Sequence, residues 1–221
     1  MAAPTTTPPM QGAVRNIVAS YLFQRRGIGI IGVALPFLLI LGYDLSVGHF
    51  ALRNSISSYY YTDMRNFFVG CMCAIGVFML CYRYNRLDDI LSNIAGALAI
   101  AVALCPTAPA NPTHNALLAS RAHAICAGLL FLLLAAFCFF IFTKTDVTEP
   151  RPTARKLTRN VLYRVCGVVI VICVLVAGAT ATPWVSESFQ DRTNILFWAE
   201  SVAIFAFGLS WLVKGETILK D

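Results

Sequence analysis

Residues 55–70 read Ser-Ile-Ser-Ser-Tyr-Tyr-Tyr-Thr-Asp-Met-Arg-Asn-Phe-Phe-Val-Gly, the densest run of hydroxyls and charge in an otherwise apolar chain. Three consecutive tyrosines, then Asp63 and Arg65, stand directly ahead of an apolar helix that begins near Asn66. Amphipathic rings with polar tips suit the headgroup layer of a membrane, so this stretch reads as the boundary of a transmembrane helix. Its simplest role is an aromatic anchor. Its functional role would be the floor of a binding site with the other helices arranged around it.

Composition agrees with a membrane reading. The 221 residues are 58% hydrophobic and only 13% charged, with a mean hydropathy of +0.70. A soluble domain carries about 25% charged residues, so this chain lacks the polar surface to face water all round. A helix rises about 1.5 Å per residue, and roughly 20 residues cross a hydrocarbon core of about 30 Å. Six apolar stretches approach that length: Gly27–Asp44, Asn66–Tyr82, Asp88–Cys105, Ala116–Phe142, Val161–Thr180 and Thr193–Lys214. The expected fold is therefore all-α, a bundle of six transmembrane helices over residues 27–214. A disordered and then amphipathic segment (1–26) precedes it, and a short tail (215–221) follows.

The charges orient the bundle. Six spans put both termini on one side. Of the 17 Lys and Arg residues, only Arg53, Arg65, Arg121 and Arg192 fall on the other side. Short loops rich in Lys and Arg stay cytoplasmic, so both ends of the chain are expected in the cytoplasm, with the protein multi-pass in the cell inner membrane. The net charge of +6 then sits on the cytoplasmic side. Attraction to lipid headgroups accounts for it, and a nucleic-acid partner is not required.

Two motif readings fail. Gly27-x-Gly29-x-x-Gly32 matches the dinucleotide fingerprint in letters, but no strand precedes it, and close helix packing explains it better. The eight cysteines lie almost entirely within or at the ends of apolar segments and read as small hydrophobes. Cys71-Met-Cys73 is not a zinc pair.

Ionisable groups inside spans are the default functional candidates, because charge in hydrocarbon is costly. Glu200 lies about two turns into the last span and His123 about two turns into the fourth, both measured from the outer side. Asp63, Arg65 and Tyr60 enter from the first outer loop, and Arg121 precedes His123. These six residues form the candidate ligand-binding site. Arg65 and Arg121 would attract anionic groups, Glu200 and His123 would couple a proton or cation, and Tyr59–Tyr61 would line the mouth. Each also has a plainer role: a helix-locking carboxylate, a satisfied interface histidine, a snorkelling arginine. Arg65, next to Asp63, is expected to be the more desolvated of the two loop arginines, with Arg53 in open solvent. Asp88 and Asp89 read as a solvated helix start, where acids are favoured. Imidazole and carboxylate suit zinc, but no His-x-x-x-His spacing specifies it, so no metal or other cofactor is expected.

Ser55–Gly70, together with Gly208-Leu-Ser-Trp-Leu-Val-Lys-Gly215, resembles uncharacterised bacterial multi-pass membrane proteins. The resemblance implies a helical membrane bundle and brings no activity with it. The metal-dependent seven-helix hydrolases typified by alkaline ceramidases do not match, because the last span here carries Glu200 and no histidine.

The leading functional expectation is an outward-facing polar pocket that binds or passes a small solute or lipid headgroup. The alternatives are an intramembrane hydrolase or transferase acting on lipid, metal-dependent or not, and a structural or assembly subunit. Membrane lipid is the expected partner, and a homo-oligomer stays open.

Overall fold

A computed structural model describes residues 8–109, 111–144 and 153–219, with side chains from residue 12 onward. The first part of the expected N-terminal disorder and the middle of the basic loop after the fourth span lie outside the described residues.

The described residues form helices and connecting loops, with no strand among them. α1 (Pro8–Val47) is followed by a 3₁₀ turn (Ser57–Tyr61), α2 (Arg65–Leu80), α3 (Arg86–Leu104) and α4 (His114–Ala136). A π turn (Phe137–Ile141) extends α4, and α5 (Ala154–Thr180), α6 (Glu187–Thr193) and α7 (Ile195–Lys214) complete the chain. Five of these, α1, α3, α4 with its π turn, α5 and α7, are long and apolar enough to cross a membrane. The expected second span is α2. At 16 residues it reaches only about 24 Å, short of the hydrocarbon thickness. The chain thus has the character of an integral membrane protein, with five spans by length where six were expected.

Local sequence explains where helices start. Asn85, Thr113 and Thr153 sit in extended backbone, and each side chain accepts the N–H three residues on, at the starts of α3, α4 and α5. α6 and α7 are separated by Asn194 alone, which takes a left-handed conformation (φ 48°, ψ 38°). Asparagine tolerates that region better than most residues, so the chain turns there without a longer loop. The segment 1–26, expected to be disordered and then amphipathic ahead of the first span, is instead helical from Pro8 and runs into that span without a break.

Six helices form a closed ring: α1 packs on α2, α2 on α3, α3 on α4, α4 on α5, α5 on α7, and α7 back on α1. Glycine allows two of these contacts. A Cβ on Gly208 would lie 2.6 Å from the Val33 nitrogen and 2.8 Å from the Gly29 oxygen. α1 and α7 therefore meet backbone to backbone at the glycines of the false dinucleotide motif. Likewise, a Cβ on Gly96 would lie 2.7 Å from the Gly76 oxygen, so α2 and α3 also touch directly.

The end of the ring near the termini is filled with aromatic rings. Fully buried Trp211 stands with ring centroids 5.4 Å from Tyr82, 5.2 Å from Phe142 and 6.1 Å from both Phe137 and Phe207. The π turn brings Phe137 and Phe142 together here, closed by a Phe142 N–H to Phe137 carbonyl bond across five residues. Asp88 is also here. Expected in solvent, it is 1% exposed, and its carboxylate lies 2.6 Å from the Lys144 ammonium. The neighbouring Asp89 accepts the Tyr84 N–H instead.

Candidate functional site

The opposite end of the ring is built differently. Residues 55–58 form a tight turn in which the Ser58 N–H donates to Ser55 Oγ at 3.0 Å and the Ser58 hydroxyl donates to the Ser55 carbonyl at 2.6 Å. Serine side chains readily replace backbone partners in this way. The turn feeds the 3₁₀ helix and lowers Ser55, Ser57 and Tyr59 into the bundle, where all three are buried.

Two side chains from distant helices meet this turn. From α7, Glu200 Oε2 accepts the Ile56 N–H at 2.6 Å. From α4, His123 Nε2 lies 2.9 Å from Ser57 Oγ. The second ring nitrogen, Nδ1, lies 2.6 Å from the Cys105 carbonyl oxygen at the end of α3. A carbonyl only accepts, so in the neutral imidazole the proton is on Nδ1. Nε2 is then an acceptor aimed at the Ser57 hydroxyl. One turn of loop thus joins α3, α4 and α7, with Glu200 and His123 on consecutive residues, Ile56 and Ser57.

Two cavities adjoin the turn. The smaller, about 50 Å³, lies inside the ring. Ser57 and Glu200 are its polar members, and Leu35, Phe68, Leu130 and Phe207 are among its apolar walls. The larger, about 320 Å³, lies among α4, α5 and α7. Its polar wall holds Ser55, Ser120, His123 and Glu200, and its floor is made of small residues such as Ala124, Gly128, Ala177 and Gly178. A Cβ added to Gly128 or Gly178 would meet nothing within 4 Å, so space remains between α4 and α5. The two cavities share Ala127, Phe131 and Glu200.

The other candidates are placed elsewhere. Arg65 is exposed. Its Nη2 donates to the Tyr60 hydroxyl at 2.5 Å, and its guanidinium lies 4.2 Å from the centre of that ring. No ion pair joins it to exposed Asp63 among the described residues. Arg121 is exposed and lines neither cavity. The three tyrosines also divide. Tyr61 is at the surface, donating its hydroxyl to the Thr107 carbonyl. Tyr59, expected at a mouth, is wholly buried against Tyr43 and Phe197. Arg53, expected in open solvent, is half-buried with its Nε out of reach of water.

Sequence reading missed Ser57 as the hub, although the hydroxyl run around it was visible. It also missed the Cys105 carbonyl, which no side-chain motif announces. Among the described residues, no three His, Cys, Asp or Glu side chains gather as a metal-ligand set. All eight cysteines are free. Compared with protein-family models, curated proteins and solved structures, the chain finds no match.

Proposed function

We propose that this integral membrane protein binds the polar group of a small solute or lipid headgroup in the 320 Å³ cavity at the end of the bundle opposite the termini. The observation that carries the reading is the convergence of Glu200 and His123 on one turn beside that cavity. Polar groups at membrane depth are expensive, and here they face an internal space with room for a ligand. The gap between α4 and α5, left open at Gly128 and Gly178, gives a headgroup a way in from the bilayer. In the same reading α2, extended by the 3₁₀ turn before it, completes a sixth crossing, and the cavity opens on the outer side with both termini in the cytoplasm.

Gly128→Leu tests it. The added side chain projects into the cavity and meets no existing atom near its Cβ. Native mass spectrometry of protein released from bilayer nanodiscs should show a bound lipid or solute on the wild type. At least a tenfold loss in Gly128→Leu, with unchanged thermal unfolding, is the expected result. Equal occupancy in both proteins would end the proposal.

A further inference from the structure

We infer that Ser57 and His123 form a nucleophile–base pair that transfers a short acyl group, of acetyl size, from an ester. The inference rests on the cavity reading above, since the ester must reach the turn through the larger cavity.

Three observations support it. The first is the hydrogen bond itself: Ser57 Oγ to His123 Nε2 at 2.9 Å, with Nδ1 held by the Cys105 carbonyl at 2.6 Å. A serine is a weak nucleophile until a base takes its proton, and that base must be held in the right tautomer by a third group. A backbone carbonyl provides that hold here. The second is separation. Ser57 faces the small cavity and His123 the large one, so the pair bridges them. An ester carbonyl at this junction would have its acyl end in one space and its alcohol part in the other. The third is size. A cavity of about 150 Å³ holds the six carbons of benzene. In proportion, the 50 Å³ beside Ser57 holds about two heavy atoms, enough for the methyl end of an acetyl group whose carbonyl sits at the junction and too little for a fatty chain.

In the step, Ser57 Oγ bonds to the carbonyl carbon while its proton passes to His123 Nε2. The carbon–oxygen bond to the alcohol then breaks, and the alkoxide leaves with the proton from Nε2. Acetyl-Ser57 remains. A second hydroxyl, from water or an acceptor alcohol in the larger cavity, reverses the sequence: His123 takes its proton, its oxygen takes the acetyl group, and Ser57 is restored. Glu200 is a positioning residue, holding the Ile56 N–H so that Ser57 stays opposite the imidazole.

The test uses the full-length protein in nanodiscs with p-nitrophenyl acetate. Wild type should release nitrophenolate in a burst stoichiometric with protein, and peptide mass mapping should place the acetyl group on Ser57. Ser57→Ala should abolish the burst, and His123→Gln should slow it on the order of 100-fold, the range of general-base loss. The octanoate ester should acylate at least tenfold more slowly. Acetyl found only on other residues of the wild type would overturn the inference, even were Ser57→Ala not to fold. So would an unchanged rate in folded His123→Gln. No burst from a protein that still retains ligand in the nanodisc assay overturns the acyl transfer and leaves the binding cavity standing.

Discussion

The two ends of the bundle treat their polar groups and their space differently. Near the termini, polar side chains bond one another and backbone carbonyls, Arg26 reaching that of Gly215, and aromatic rings pack between the helices. Asp88 is buried against Lys144, and four aromatic rings pack around Trp211. At the opposite end polar side chains are matched to backbone: Glu200 to an amide, His123 to a carbonyl. Space is left beside them. Ion pairing and aromatic packing favour a single rigid arrangement, whereas groups anchored on loop backbone stay available to a ligand in an adjoining cavity. On the proposed reading, the first end holds the fold together and the second receives the ligand.

The largest effect should come from the filled end. Trp211→Ala removes the ring around which Tyr82, Phe137, Phe142 and Phe207 are packed. In soluble cores such truncations cost about 3–5 kcal/mol, part of it transfer from water and part the cavity left behind. Where the unfolded chain stays in lipid, the transfer part shrinks and packing remains, so about 3 kcal/mol is expected. Unfolding in mixed micelles measures it. Ligand retention at the other end should survive under conditions where the variant is folded. A large loss of retention with little loss of stability would erase the division of labour.

A smaller effect should come from the polar end. Glu200→Ala frees the Ile56 N–H, and His123→Ala frees the Ser57 hydroxyl and the Cys105 carbonyl. Each leaves buried polar groups unpaired, at about 1–3 kcal/mol. Because both act on one turn, the double variant should depart from additivity by about 0.5–3 kcal/mol. Additive losses would mean that the turn does not connect them.

Much of the all-helical architecture is legible in the sequence, because apolar length is a one-dimensional property. Depth is legible for the same reason: residue counts alone put Glu200 and His123 at similar levels. What stays hidden is lateral. Nothing in the letters around Asp88 says that Lys144, beyond the next helix, will reach it, so a buried carboxylate looks like a solvated helix start. Hydropathy also gives α2 the same standing as the other helices, because it does not show that the helix ends at Leu80, after only 16 residues. The serines at 55–58 were visible as a polar run. That Ser57 alone turns toward an imidazole depends on how the turn folds, which no periodicity encodes.

The last comparison lies within the opening stretch, between its two arginines, and the structure reverses the ranking that sequence position suggests. Adjacent acid and a helix mouth favour Arg65 as the anchored one, yet it is exposed and lies against Tyr60. An exposed cation–π contact contributes about 0.5–1 kcal/mol, and screening by salt weakens its charged part. Arg53 is half-buried beside the Tyr59 phenol, with its Nε shielded. Neither that Nε nor the Tyr59 hydroxyl has a hydrogen-bond partner among the described residues, so the side chain acts through the packing of its stem more than through charge. Arg53→Ala should therefore destabilise more than Arg65→Ala, by about 1 kcal/mol, on the order of one buried methylene of the stem. Added salt should reduce the Arg65→Ala effect and leave the Arg53→Ala effect nearly unchanged. Thermal unfolding of the two variants at low and high ionic strength reads both. A larger loss from Arg65→Ala would return the anchoring role to the helix mouth and detach Tyr59 from the polar end.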